Sequence, residues 1–387
     1  MRKICVITGS RAEYGLLSGL MSAIKNDNDL QLQVIATNMH LSPEFGLTYK
    51  EIETDGFAID KKVEMLLSSD TASGTTKSVG LATIGFADAY QDLKPDLIVV
   101  LGDRYEILAA VTAALFFKIP VAHLHGGEIT EGAYDDAIRH AITKLSHLHF
   151  TSTESYRQRV IQLGENPECV FYVGAIGVQN ALELKLMEKV ELEKSLGFSF
   201  GDKLLLVTFH PVTLENETAK QQCENLLAVL AELTEFNIIF TLPNSDAEGR
   251  LIMGMIKDFV SKQADKSIAF NSMGKIRYLS TLQFVSAVIG NSSSGIIEVP
   301  SFEIPTLNIG DRQKGRIAAE SVYNCGTSIT DIKVGVKEVL SIEAQSKARN
   351  GHNPYQKENT TENILNVIKS YPLANITTKS FYNLDHA

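Results

Sequence analysis

Short apolar, β-branched runs recur along the chain, each closed by a polar or glycine-rich cluster and followed by a stretch with helical spacing. In the first half these runs are Ile4–Thr8, Leu32–Thr37, Leu97–Leu101, Val121–His125, Leu148–Thr151 and Val170–Val173. Runs that are apolar at successive rather than alternate positions suit strands buried on both faces, and their alternation with helices predicts a parallel sheet covered on each side. The rhythm restarts after Leu182 with Leu204–Phe209, Ile238–Leu242, Ser267–Asn271, Ala287–Gly290 and Thr306–Ile309, separated by helical segments such as Thr218–Thr234 and Glu248–Lys262. The pattern therefore predicts two doubly wound α/β domains, residues 1–175 and 176–355, with a boundary near Ala175–Gln179. Glu183–Ser195, with opposite-sign i,i+4 pairs, reads as a solvated helix joining the halves. Thr361–Ser370 carries one last helical period, the tail beyond Pro372 carries no pattern, and Ser68–Ser78 reads as a flexible Ser/Thr/Gly loop.

Length agrees with the pattern, since 387 residues correspond to two domains, or three at most. A hydrophobic share of 44% with 21% charged residues places the chain among ordinary globular proteins and sets aside disordered and fibrous classes. Charge changes the picture more. Thirty-six Lys and Arg against 46 Asp and Glu leave a net charge of −10, so the molecule as a whole repels a phosphate polyanion and is not expected to bind nucleic acid. A phosphate ligand would have to be held by a few placed cations and backbone N–H groups. Four scattered cysteines form no CxxC pair, which points to a reduced, cytoplasmic setting rather than a disulfide framework or zinc ribbon. The apolar run Ile4–Ile7 is too short for a signal segment, and no stretch reaches the roughly 18 apolar residues of a membrane span.

Ligands of open α/β sheets bind beyond the carboxyl ends of the strands, so the residues after each run are the candidates for chemistry. Gly9-Ser10-Arg11-Ala12-Glu13, Gly102-Asp103-Arg104 and His123-Leu124-His125-Gly126-Gly127-Glu128 occupy these places in the first half. His210-Pro211, Pro243-Asn244, Gly290-Asn291-Ser292-Ser293-Ser294-Gly295 and Gly310-Asp311-Arg312 do so in the second. Ser10 to Glu13 fits a capping box that needs no ligand, and the glycines at 9 and 15 do not make a dinucleotide fingerprint. Three hydroxyls and a glycine at a helix start, by contrast, suit a diphosphate cradle. Charges at a buried sheet edge, as at Asp103-Arg104, need partners or a ligand. His123 and His125 alternate along a strand and face opposite sides, which argues against a shared metal, and His147 and His149 read as packed strand histidines. Asp135-Asp136 reads as a first helical turn with Arg139 one turn on.

Six ordered motifs between about residues 3 and 370 resemble the UDP-N-acetylglucosamine 2-epimerase family. They are Gly9 to Tyr14, Gly102-Asp103-Arg104, His125-Gly126-Gly127-Glu128, Asp135-Asp136-Ala137-Ile138-Arg139-His140, His210-Pro211-Val212-Thr213 and Gly290 to Gly295. The resemblance implies two Rossmann-like domains facing across a cleft, as in glycosyltransferases of the B type, with a final helix in residues 356–372 returning to the first domain. It implies that Arg11 and the serines Ser292, Ser293 and Ser294 hold a diphosphate. Glu298 would accept from ribose hydroxyls, and Arg104, Asn244, His210 and Arg312 would line the UDP-sugar site. Asp103 and Asp135 match the catalytic carboxylates, Arg139 their partner arginine and His210 the active-site histidine.

Where the family commonly carries a glutamate, this chain has His125, with Glu128 three residues on; either takes that role. The spacing from Glu128 to Asp135 is one residue longer than the family pattern. Pro211-Val212-Thr213 replaces the Arg-Arg-Glu-type cluster of non-hydrolysing relatives, so the resemblance is to the hydrolysing branch, which makes N-acetylmannosamine for sialic acid, or to its relative acting on UDP-N,N'-diacetylbacillosamine for legionaminic acid. The implied reaction eliminates UDP to a glycal and adds water, needs no cofactor and no metal, and belongs to a homo-oligomer, dimer or tetramer. A glycosyltransferase of the same fold and a non-catalytic nucleotide-sugar sensor are the rival readings.

Overall fold

Residues 1–67, 69, 71–131, 134–211, 219–243 and 247–384 are described by the computed structural model. Among them, seven strands make one parallel sheet: β1 (Arg2–Thr8), β2 (Leu30–Thr37), β3 (Lys61–Val63), β4 (Leu97–Leu101), β5 (Val121–Leu124), β6 (Leu148–Thr151) and β7 (Val170–Tyr172), in the order β3-β2-β1-β4-β5-β6-β7. Six more make a second parallel sheet: β8 (Leu204–Thr208), β9 (Asn237–Thr241), β10 (Ser267–Phe270), β11 (Ala287–Gly290), β12 (Thr306–Ile309) and β13 (Val322–Cys325), in the order β10-β9-β8-β11-β12-β13. Both sheets are doubly wound α/β, and in each the chain order reverses beside the first strand, between β1 and β4 and between β8 and β11. Crevices at such reversals are where ligands enter this architecture. Residues of β4, β5, β6, β8 and β11 are buried throughout, as continuous apolar runs require when helices cover both faces.

Several sequence expectations are corrected. The edge strands β3 and β13 add to those the pattern predicts; each is only three or four residues long and largely unburied, so it carries no apolar run. The run at Val121 ends as a strand at Leu124, since His125 turns into the left-handed region with φ 66°. From Ala72 onward the segment expected to be a Ser/Thr/Gly loop is helical: a helix spans Ala72–Leu93, with the Thr71 hydroxyl accepting from Gly74 N and Ser78 turned inward. Helix capping by a hydroxyl outweighs the loop-like composition there. Glu183–Ser195 is not one solvated helix but the end of Ile176–Glu183 and a second helix, Lys189–Leu196, which buries Leu192 and Leu196 in an apolar core.

The chain folds as two compact units, Met1–Glu128 with Tyr134–Asn180 and Lys357–Ala387, and Ile129–Ala133 with Ala181–Gln356. In the first unit the helix Thr360–Ser370 contributes Ile364 and Ile368 to the same core as Ile4, Val6, Leu17 and Val99. Polar contacts pin it as well: Arg2 Nη1 donates to the Ile368 carbonyl at 2.6 Å, and Lys369 pairs with Asp27 and Asp29 at 2.8 Å. Beyond it Lys379 donates to the carbonyls of Lys144 and Ser146 and pairs with the buried Glu165 at 2.6 Å, while Tyr382 N donates to the Gly164 carbonyl. The second unit has its own core, in which Leu205, Val207, Ile238, Phe240, Ile289 and Leu307 meet Leu226, Ile252, Ile332 and Val336.

Candidate functional site

At the carboxyl edge of the first sheet, Asp103 follows β4, His125 to Glu128 follow β5, Ser152 follows β6, and Arg139 reaches in from the helix Tyr134–Leu145. Arg139 organises them. Its guanidinium is 2% exposed, is paired with Asp103 through Nη2, donates from Nη1 to the Glu128 carbonyl at 2.9 Å and lies 3.5 Å from Asp136 Oδ1. A buried guanidinium needs such a full set of acceptors. Asp103 remains one quarter exposed beside it. Asp135 is half-buried at the start of the same helix.

His125 Nδ1 lies 2.7 Å from Glu128 Oε1, which also accepts from Ser152 Oγ at 2.8 Å. A carboxylate partner places the ring proton on Nδ1 and leaves Nε2 as the acceptor, and Nε2 is buried without a hydrogen-bond partner among the described residues. The left-handed backbone of His125, costly for a residue with a Cβ, is what turns the ring onto Glu128 rather than along the strand. The Gly127 carbonyl is held by Arg159 Nη1 at 2.6 Å. His123 bonds the Gly102 carbonyl at 2.8 Å, and burial holds its pKa down at about 3, so it is neutral at physiological pH. It buttresses the Asp103 turn. Among the described residues no group of three or more His, Cys, Asp or Glu side chains could hold a metal ion. His149, on β6, is buried against Glu165 at 3.0 Å, and His147 Nδ1 accepts from Val121 N at 3.1 Å.

The capping box at Ser10 is real. Ser10 Oγ accepts from Glu13 N at 3.4 Å, and Glu13 Oε2 accepts from Gly9 N and Ser10 N at 2.7 and 3.1 Å. Arg11 is paired with Glu51 at 2.9 Å, both side chains at least 40% exposed. Arg104 bonds Glu106 Oε1 at 2.7 Å and touches Met39 Sδ at 3.8 Å. Glu106, in the first turn of the helix Tyr105–Phe117, is fully buried and is not among the residues the sequence singles out. Asn38, after β2, carries no sequence signal either. It is buried with φ 51°, and neither side-chain amide atom has a hydrogen-bond partner among the described residues.

At the carboxyl edge of the second sheet, Asn291 gathers the site. Its side chain accepts from His210 N at 2.7 Å and donates to the His210 carbonyl at 2.8 Å, while its own carbonyl accepts from Arg312 Nη1 and Gln313 Nε2, both at 2.9 Å. Burial and the Arg312 charge hold the His210 ring neutral, its pKa lowered to about 3. The sequence marks Asn291 only as the start of the serine turn, since a clamp across 81 residues leaves no local signal. Ser294 N donates to Ser292 Oγ at 3.4 Å, Tyr278 donates to Ser294 Oγ at 2.8 Å, and Ser293 precedes the short helix Ser294–Ile297. Glu298 follows that helix, close enough to Lys275 and Tyr278 for its charge to act on both. The turn starts at Gly290, whose φ of 139° and contact with the Thr208 carbonyl leave no room for a Cβ. Asn244 lies outside the described residues, as do Val212 and Thr213. Thus the structure brings Asp103, His125, Glu128 and Arg139 together in the first unit, and His210, Ser292 to Ser294 and Arg312 around Asn291 in the second.

The sequence profile of the family described as UDP-N-acetylglucosamine 2-epimerase matches residues 22–369. A GDP/UDP-N,N'-diacetylbacillosamine 2-epimerase (hydrolyzing) of Campylobacter jejuni is 44% identical over 88% of this chain and 88% of its own length. The polysialic acid biosynthesis protein P7 of Escherichia coli is 38% identical over 99% of this chain and 98% of its own. Among solved structures, the UDP-GlcNAc 2-epimerase of Neisseria meningitidis bound to UDP-GlcNAc shares the fold at a TM-score of 0.81, with 20% identity, over 95% of this chain and 99% of that one.

Proposed function

This chain belongs to the UDP-N-acetylglucosamine 2-epimerase family, and from that premise we propose that it is a hydrolysing UDP-sugar 2-epimerase, converting UDP-N-acetylglucosamine and water to UDP and N-acetylmannosamine. The observation that supports it is the pairing at the first sheet's edge: Asp103 held by buried Arg139, next to a His125 oriented by Glu128. The proton on sugar C2 has no carbonyl to acidify it, so its removal has to be coupled to loss of a good leaving group. A base takes the C2 proton as the C1–O bond to UDP breaks, and the released electron pair forms the C1=C2 bond of a glycal. Water then adds its hydroxyl at C1 while a proton returns to C2 from the opposite face.

Asp103 and Asp135 divide the base and acid roles, and the acceptor nitrogen of His125, with Glu128 behind it, relays the water proton. Arg139 holds Asp103 in place and aims it. For the diphosphate the reading uses Arg11, Arg104, Arg312 and the N–H groups of Ser292, Ser293 and Ser294, with Glu298 on the ribose and His210 and Asn244 beside the nucleotide.

Incubation with UDP-N-acetylglucosamine in deuterated water, followed by NMR, tests it. The expected products are UDP and N-acetylmannosamine carrying deuterium at C2; UDP-N-acetylmannosamine with no free sugar would sink the hydrolysing assignment. The 44% identity to the diacetylbacillosamine enzyme favours a second substrate reading, the 4-acetamido-6-deoxy sugar, and the same assay with that nucleotide sugar ranks the two by kcat/KM. The family resemblance also supports a homo-oligomer, dimer or tetramer, to be read by light scattering. Four free cysteines support a cytoplasmic setting. Among the described residues no helix is long and apolar enough to cross a membrane.

A further inference from the structure

Two carboxylates outside the proposed catalytic set are packed into the crevice between β1 and β4. Glu13 is 6% exposed and Glu106 is fully buried. Glu13 Oε2 takes the two backbone N–H groups of Gly9 and Ser10, and Glu106 Oε1 takes Arg104 Nε. The other oxygen of each, Glu13 Oε1 and Glu106 Oε2, is buried with no hydrogen-bond partner among the described residues. Glycine at position 9 makes the arrangement possible, since a Cβ there would lie 2.7 Å from Glu106 Cγ.

One guanidinium cannot balance two buried carboxylates, and two acceptor oxygens left without donors are costly. We propose that Glu13 and Glu106 form a carboxyl pair that holds a single proton, and that this pair is the positioning device that seats the Arg11 and Arg104 turns for an anionic substrate. The proton turns Glu13 Oε1 from a second buried acceptor into a donor beside the Glu106 charge. With it in place the pair and Arg104 are together neutral, and the start of the Arg11–Asn26 helix keeps its favourable field for a diphosphate. Without it, a second negative charge stands where the substrate's own charges arrive.

Other charged and titratable groups facing the pair are few. Arg104 and Asp103 come from the turn after β4 and Tyr105 from the following helix, while His40, from the turn after β2, lies against Thr8 and Ser10 beside the Glu13 turn. His40 is bonded to Thr8 Oγ1 at 3.0 Å and Thr48 Oγ1 at 2.8 Å and is kept neutral by burial, its pKa lowered to about 4. Burial first, and the Glu106 charge second, push the Glu13 carboxyl up to about 8, against the pull of Arg104 and the Gly9 N–H.

The inference rests on the reading that this edge takes a UDP-sugar, so the test has one arm without substrate. Because the folded pKa of Glu13 lies above that of the unfolded chain, its protonation favours the fold at low pH, and that advantage is lost as pH rises toward 8. Glu13→Gln, an amide that mimics the protonated acid permanently, does not titrate. Thermal midpoints of the wild type relative to Glu13→Gln are expected to fall between pH 5 and 8 and then level; parallel curves overturn the shared proton. In the second arm, wild-type kcat/KM for the UDP-sugar falls about tenfold per pH unit above 8, through KM rather than kcat. Glu13→Gln abolishes that break, whereas Glu13→Ala raises KM at least tenfold at every pH. A break that persists in Glu13→Gln overturns the positioning role. Glu106→Gln, whose amide oxygen still accepts from Arg104, removes the neighbouring charge and leaves the burial of Glu13, so the break is expected to move to lower pH in both arms; a break left in place overturns the pair, and this variant decides should Glu13→Gln not fold. If no UDP-sugar is turned over at all, the first arm still decides the proton, and the failure belongs to the functional reading.

Discussion

Asp103 combines two properties that ordinarily exclude each other: a carboxylate ion-paired to a buried arginine, and a side chain still one quarter open to solvent. Arg139 pairs with it from the buried side while the side chain stays partly open to solvent. Asp103→Asn keeps the shape and a hydrogen-bonding oxygen but loses the basicity. Turnover is expected to fall by at least about a thousandfold while calorimetry still detects UDP binding; an active Asp103→Asn enzyme removes the residue from the chemistry. The candidate carboxylates and arginines are legible in the sequence because they follow apolar runs directly. The acid at 106 is not, because its significance comes from Arg104, Glu13 and the missing side chain of Gly9, and the last two of these lie more than 90 positions away along the chain. His125 shows the same limit. Strand alternation assigns its direction correctly only as far as Leu124; Gly126 and Gly127 announce a turn, but not that His125 itself takes the left-handed backbone that couples it to Glu128.

Strands and their caps are the most readable elements. Leu97–Leu101, Leu148–Thr151, Ala287–Gly290 and Thr306–Ile309 lie where the apolar runs do, because helices on both faces of a parallel sheet demand apolar side chains on both. Among the edge strands β7 and β10 still follow runs that the pattern finds, whereas β3 and β13, short and largely unburied, carry none. The β11 element carries its own constraint at its last residue. With φ at 139° and the Thr208 carbonyl standing where a Cβ would be, Gly290 ends β11 at its crossing to the Asn291 clamp with no room for a side chain. Gly290→Ala is expected to cost about 3 kcal/mol or more, by combining a strained backbone with a steric overlap. Denaturant unfolding, read against the wild type, checks it; a loss below about 1 kcal/mol means that the strand ends can part, and then the geometry of His210 and Arg312 is not held by this crossing.

Across the whole chain, one buried carboxylate is shared by distant segments. Burial alone would raise the Glu165 pKa, but His149, Lys144 and Lys379 together lower it to about 2. A carboxylate depressed in the fold stabilises it above the unfolded value, and this contribution is lost as pH falls from about 4.5 toward 2. Glu165→Gln is expected to cost about 3 kcal/mol near neutrality and to flatten the acid limb of the stability profile, so that the two proteins converge in thermal midpoint near pH 2. If the gap between them is the same at neutral pH and in strong acid, the ion cluster is not what ties Lys379 down. None of this is visible in the sequence, where the residues beyond Pro372 show no period; their role comes from three bonds of one lysine to residues more than 200 positions away.

Return of the chain to the first unit has a consequence for biosynthesis. Residues to Asn180 leave the ribosome carrying every strand of the first sheet but without Ile364 and Ile368, which close the apolar face of the Arg11–Asn26 helix. About 190 residues must follow before those side chains exist, which at ordinary translation speeds leaves the Arg11–Asn26 helix without its partner helix for roughly 10–40 s. The second unit, nearly continuous from Ala181 to Gln356, is finished within that interval. The nascent first unit is therefore the natural client for a chaperone that holds apolar helices, and a nonsense mutation late in the reading frame damages the earliest-made part of the protein.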